Sequence, residues 1–408
     1  MIEQFLSRAD CKKVSLSQQE LERRWKGMRE RMAAKKIDYL VVQSQNRGVG
    51  GYFRYFTDMP GGNYPNAAVF PLKGDMAIIS HGPASPAAPQ NPPDWALREG
   101  KIKFNTPAFP NVWWEESWDA EKAVQYMLKN GKPKKVGFVG MGNMSAALYE
   151  NVKKGLPGVE FVNATDLVDE LRMVKSEEEL TLHREAAYMH EMSLEVAKES
   201  IEPGRTIEEV ILDIRFAQME YGSEEQQVAI AFGQPGEAHQ HQMSWGNTFI
   251  RRPLKEGDIV NLLVESSMAG GYWYDMRRFF SIGPVPAAYQ EAWEIVSEAR
   301  AIMAANCKPG MTPWKAAQAT DKFLVSKGCP AENRVAAHGQ GLDLVERPVF
   351  LKQEVCKFEV GMIVCLHPTA KTKHAAVCLS DTYVVSENGA VPMYKNLFDD
   401  NKITVVGC

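Results

Sequence analysis

Two spacings of apolar residues run through the chain. Some stretches repeat every three to four positions, the spacing of one helical face; others run together or alternate, as strands do. Ser17 with Glu20 is a capping-box pattern that predicts a helix to about Lys36, followed by a buried strand from Tyr39. Asn66–Leu72 and Asp75–Ser80 predict two further strands, split by the turn Lys73-Gly74. The glycine- and aromatic-rich stretch GYFRYFTDMPGGNYP between Tyr39 and this pair is expected to be a loop with little reason to be buried. Gly82 to Asp94 holds five prolines and predicts an extended surface excursion. A helix over Asp119–Asn130, a strand over Val136–Gly140, a helix over Ser145–Lys154 and a strand over Val159–Asn163 complete an alternating α/β half.

The pattern changes near residue 173. Ser176 with Glu179 caps a long helix to about Ser200, and Thr206 with Glu209 caps another to Tyr221. Ile207, Val210, Ile211 and Ile214 form a core stripe on the second. A strand over Val228–Gly233 precedes a loop with His239 and His241. Next come two runs, IVNLLVE and YWYDMRRFF, joined by Gly270-Gly271 and read as a hairpin. Helices over Ala287–Ala305 and Thr312–Lys327 follow, then strands that bring His338, His367 and Asp381.

With 408 residues the chain is too long for one ordinary core and predicts two domains, 1–172 and 173–408. A net charge of −4 without a Lys/Arg cluster excludes a nucleic-acid footprint, and no apolar run approaches the length of a membrane span. Seven cysteines without CxxC spacing, together with an N-terminus lacking a signal-peptide core, point to reduced thiols in a cytoplasmic protein. Gly140-Met-Gly142 lacks the third glycine of a dinucleotide fingerprint and reads as a tight strand-to-helix turn.

The hairpin carries the candidate chemistry. Glu265 and Asp275 lie ten residues apart and can face one side of the sheet, with Arg277 and Arg278 as their plain structural partners. An acid pair on a buried hairpin is either catalytic or ion-paired, because an unpaired buried carboxylate is costly. His239 and His241, one residue apart, project to opposite sides if extended, so one of them is expected to face a shared site. His338 beside Gly339, and His367 before Pro368, are strand-end imidazoles that need named partners.

These phrases in order, LRMVKSEEEL, LKEGDIV, GGYWYDMRRFF, AAHGQGLDLVERP, FEVGMIVCLHP and SDTYVVSENG, resemble the pita-bread family of creatinase, prolidase and methionine aminopeptidase. The resemblance implies an α+β chain: an N-terminal α/β creatinase/prolidase-type domain, then a C-terminal pita-bread domain. In the family's metallopeptidases two aspartates, a histidine and two glutamates hold two metal ions. Carried over, these positions fall on Val264 (with Glu265 one step beyond), Asp275, His338, His367 and Ser380 (with Asp381 following). The loss of three carboxylates implies that ordinary two-metal peptidase activity is absent.

The resulting expectation is a creatinase-like hydrolase of a small, carboxylated carbon–nitrogen compound, working without metal. His239 matches creatinase's proton-shuttling histidine, with Glu265, Asp275, His338 and His367 as its catalytic company. His241, Tyr272, Trp273, Arg277, Tyr64 and Asp381 would bind substrate, and Trp245 and Tyr274 would help line the pocket. The creatinase resemblance further implies a homodimer, with the loop around Gly61–Pro65 reaching across the interface. Two alternatives stand beside it. One is a lyase or hydrolase with a single divalent transition metal on Glu265, Asp275, His338 and His367; the other is a non-catalytic binding module.

Overall fold

The structure, a computed structural model, describes residues 16–44, 50–61, 64–82, 102–107, 117–129, 131–237, 243, 252–268, 270–332, 334–394 and 402–407. It divides into two compact units after Arg172.

The first unit runs α1 (Gln18–Lys35), β1 (Tyr39–Gln43), α2 (Gly51–Thr57), β2 (Ala67–Pro71), β3 (Ala77–Gly82), β4 (Ile102–Pro107), α3 (Trp118–Lys129), β5 (Lys135–Val139), α4 (Ala146–Gly155), β6 (Glu160–Asn163) and α5 (Thr165–Arg172). Its six strands form one sheet in the order β4-β3-β2-β1-β5-β6, with β1 antiparallel to β2 and parallel to β5. Val41, Val69, Ile79 and Phe138 pack against Ala123 and Met127 of α3 and Leu148 and Val152 of α4.

The stretch expected to be an unburied loop contains α2 instead, with Phe53, Tyr55 and Phe56 fully buried. Phe56 packs on Phe70 at 5.0 Å between ring centroids, and Arg24 lies 4.5 Å over the Tyr55 ring. Burying each such ring contributes about 1.5–3 kcal/mol, more than the glycines and aromatics cost in helix propensity. Gly140 makes a close turn at φ +69°, and a Cβ there would meet Cδ2 of Tyr52 at 2.8 Å. That close approach accounts for the glycine.

The second unit runs α6 (Glu177–Ser200), α7 (Ile207–Tyr221), β7 (Glu225–Gly233), β8 (Ile259–Ser267), β9 (Trp273–Ile282), α8 (Ala287–Asn306), α9 (Pro313–Ser326), β10 (Ala337–Gly339), β11 (Glu346–Val349), β12 (Ile363–Leu366), β13 (Thr369–Lys371), β14 (Ala376–Cys378), β15 (Ser380–Ser386), β16 (Gly389–Pro392) and β17 (Thr404–Val406). Its main sheet has nine strands, β11-β10-β12-β15-β9-β8-β7, with β16 added to β15 and β17 to β9. Both capping boxes form, Ser176 with Glu179 on α6 and Thr206 with Glu209 on α7. Val228, Ile230, Val260, Leu262, Val264 and Met276 point from one sheet face into the core shared with α6 and α7. On the other face Ile259 and Phe279 pack with Trp293 and Val296 of α8. Beside them that second face turns polar. Among the described residues no helix is long and apolar enough to cross a membrane.

Candidate metal centre

Strand register builds the site. β8 and β9 pair antiparallel with Glu265 directly opposite Asp275 and Val264 opposite Met276. Cross-strand partners share a face, so the two acids stand together while Val264 lies in the core. The family position on Val264 is thereby corrected: Glu265 takes the face that the resemblance gave to its neighbour. The row continues across the sheet. The Asp275 N–H donates to Thr382 Oγ1 at 3.2 Å, Thr382 pairs with Cys365, and Cys365 pairs with His338. Arg277 pairs with Ser380 in the next row, and His367, two residues after Cys365, returns to the same side.

The side chains converge. Cys365 Sγ donates to Asp275 Oδ2 at 3.2 Å and lies 3.3 Å from Ser380 Oγ. The His338 and His367 rings are 5.1 Å apart between centroids. One ligand atom each from His338, Cys365 and His367 falls within 4.8 Å of the others. His338 Nδ1 lies 2.8 Å from the Gly339 carbonyl. A carbonyl only accepts, so Nδ1 carries the proton and Nε2 keeps a free lone pair. Gly339 leaves room for this arrangement, because a Cβ there would collide with the Arg347 carbonyl.

Burial sets the protonation states. It lowers the imidazole of His338, and it lowers that of His367 well below the usual value, helped there by His338, Arg334 and Arg277. Burial, then the Asp275 charge, raises the Cys365 thiol well above its usual range. Burial and the Asp275 charge likewise raise the Glu265 carboxyl, partly offset by Arg277. Oδ1 of Asp275 is buried without a hydrogen-bond partner among the described residues. Glu265, Arg277 and His367 are only half-buried. Arg277 also lines a groove of about 540 Å³ with Asn261, Arg334, Lys371 and Cys378.

Several expected site residues make other contacts. Asp381 is fully buried on the core face, opposite Met276, and is ion-paired with Arg278 at 2.9 Å and with Arg300. It is a structural counter-ion, because the alternation of β15 turns it away from Ser380. Tyr272 donates its hydroxyl to Glu179 at 2.9 Å and packs against His183. Tyr274 donates to the Thr382 carbonyl at 3.2 Å in the core. Trp273 shares the parity of Asp275 and is fully buried, with Nε1 unpartnered among the described residues. Tyr64 belongs to the first unit, where its ring lies 6.1 Å from that of His81. His239, His241 and Trp245 lie outside the described residues. Cys365 is the group that the residue patterns did not single out. Its signal was the two-residue spacing from His367 in the strand IVCLH.

The family follows from the sequence and agrees with this architecture. The pattern of metallopeptidase family M24 matches residues 181–387, half of the chain, and that of the creatinase/prolidase N-terminal domain matches residues 24–174. The chain belongs to the M24 family, with its pita-bread fold. It is 24% identical over 346 residues to the Xaa-Pro dipeptidase of Pyrococcus furiosus, covering 84% of this chain and 93% of that one. It is 29% identical over 237 residues to the probable dipeptidase PepE of Mycobacterium tuberculosis, covering 57% and 62%. The crystal structure of dipeptidase PepE from Mycobacterium ulcerans superposes with a TM-score of 0.76 at 21% identity, covering 97% of this chain and all of that one.

These findings correct the expected function. A creatinase-like hydrolase of small carbon–nitrogen compounds, set apart from the ordinary peptidases, gives way to the metallopeptidase and dipeptidase character of the relatives. The expectation of metal-free chemistry came from counting lost carboxylates at single positions. The fold assembles donors across strands, and the ones it assembles suit a divalent transition metal: two neutral imidazoles, a thiol, and a carboxylate with one orphaned oxygen.

Proposed function

We propose that the chain is a metal-dependent hydrolase of short peptides with a free carboxylate. The observation that carries this reading is the single sheet face on which Glu265, Asp275, Cys365, His338 and His367 meet, in a chain of the metallopeptidase family. The names of its relatives, dipeptidase and Xaa-Pro dipeptidase, support a dipeptide as the substrate.

His338, Cys365 and His367 would hold the metal, with Asp275 beside the sulfur. When bound, it supplies Lewis-acid polarisation of the scissile carbonyl and a more acidic water. The chain's own groups do the rest. Glu265, half-buried opposite Asp275, would carry a proton to the leaving nitrogen. Arg277 faces the groove with its Nε unpartnered among the described residues, ready to receive the peptide carboxylate. The packed core on the far side of β8 and β9 keeps that face rigid.

The test is a panel of dipeptides, Xaa-Pro included, assayed with zinc, cobalt(II) or manganese(II) added to protein stripped by a chelator. Metal-restored cleavage of at least one dipeptide is expected. No cleavage with any of the metals would sink the reading.

A further inference from the structure

We propose that Cys365 is a thiolate metal ligand, joining His338 and His367 to make a nitrogen–sulfur half-site that favours zinc or cobalt(II) over manganese(II). The inference rests on the metallopeptidase reading of this face and adds a ligand type that the family resemblance does not supply. An ordinary core cysteine is enclosed by apolar atoms. Cys365 instead touches Asp275 Oδ2 and Ser380 Oγ, and its sulfur belongs to the trio of ligand atoms within 4.8 Å. The two imidazoles are already prepared: His338 is fixed by its Nδ1–H bond to Gly339, and both rings are buried or half-buried on the same face.

Charge balance supports the same assignment. Without an ion, a thiolate beside the Asp275 carboxylate would bury two negative charges together, so the sulfur keeps its proton and donates it to Asp275. On binding, the metal–sulfur bond forms as the S–H bond breaks, and one proton leaves to solvent. The cation, the thiolate and the Asp275 carboxylate then sum to zero charge. A mixed sulfur and imidazole set is borderline-soft, which ranks zinc and cobalt(II) above magnesium and manganese(II). Glu265 and Asp275 remain as an all-oxygen side to the same face.

The test uses the full chain and cobalt(II) alone as the probe. A sulfur ligand gives a near-ultraviolet thiolate-to-cobalt charge-transfer band. The band is expected in the wild type and in Cys356→Ser, and is expected to be absent in Cys365→Ser. Zinc affinity by chelator competition should fall at least about tenfold in Cys365→Ser, since loss of even an outer hydrogen-bond partner costs about 10–100-fold. Cobalt(II) bound to wild type without the band, or a band that survives Cys365→Ser, would overturn the assignment. If Cys365→Ser does not fold, X-ray absorption at the zinc edge of the zinc-loaded wild type decides: a sulfur neighbour at about 2.3 Å is expected, and a shell of nitrogen and oxygen alone overturns the assignment. A wild type that shows the band yet cleaves no peptide keeps this assignment and removes the peptidase reading alone.

Discussion

Glu265 and Asp275 face each other across the β8–β9 ladder, and the negative charge of Asp275 helps keep the Glu265 carboxyl above its usual range. Replacing Glu265 by Gln removes that repulsion and keeps the shape. At neutral pH the metal-free Glu265→Gln protein should gain stability, because an amide escapes the cost of holding a buried carboxyl beside Asp275. Peptide turnover should drop about 100-fold or more through loss of the proton carrier. Denaturant unfolding and kcat, measured on the same preparation, check both. A Gln variant with unchanged kcat would take Glu265 out of the chemistry.

Asp381 tests the opposite face. It is fully buried between Arg278 and Arg300, so Asp381→Ala leaves two guanidinium groups without their counter-ion. Losing one partner of a buried ion pair costs about 3–5 kcal/mol. The loss should appear as a shifted urea midpoint. Any folded fraction should retain its KM, because the side chain is turned away from the row of donors.

Arg277 should govern affinity. Arg277→Met is expected to raise KM for dipeptides about 10–100-fold, a charge-assisted bidentate contact being worth about 1.5–3 kcal/mol. The same substitution should scarcely alter KM for C-terminally amidated peptides. Equal losses on both substrates would show that Arg277 does not read the carboxylate.

His190 makes stability depend on pH. Its ring is fully buried, accepts the Ser266 N–H at 3.2 Å, and burial lowers its pKa from 6.5 to about 4. Above pH 6.5 neither state binds the proton and stability is intact. As pH falls from 6.5 towards 4 the unfolded chain takes up the proton that the folded ring refuses, and about 3 kcal/mol is lost. Urea titrations across that range should show the decline. His190→Gln should flatten part of it, leaving the share due to the other buried imidazoles, among them His183, which burial holds at about 3, with His338 and His367.

Much of this was legible in the sequence because it depends on local spacing. The capping boxes on α6 and α7, the hairpin turned by Gly270-Gly271, and the strand-end His338 and His367 all follow from patterns within a few residues. What escaped depends on register between distant strands. Asp381 looks like a site residue until the pairing of β15 with β9 shows Ser380, not Asp381, opposite Arg277. Cys365 looks like any core thiol until β12 lies beside β10 and β15. Tyr272 sits next to Trp273, but its hydroxyl goes to Glu179. The helix α2 was hidden by Gly51 and its run of aromatics, because only tertiary burial of Phe53, Tyr55 and Phe56 makes it worth forming. The creatinase reading weighed residue types one position at a time, and the metallopeptidase and dipeptidase character of the relatives overturns it.

The position of β15, seated between β9 and β12, fixes when the site can come into being. The acids lie on one side of that strand and the thiol and imidazoles on the other. During synthesis the hairpin bearing Glu265 and Asp275 is complete nearly a hundred residues before Ser380 emerges. No shorter nascent chain can bring the two half-sets into register. Until β15 is in place the donor set therefore stays split, and the site belongs to the folded chain through Ser386.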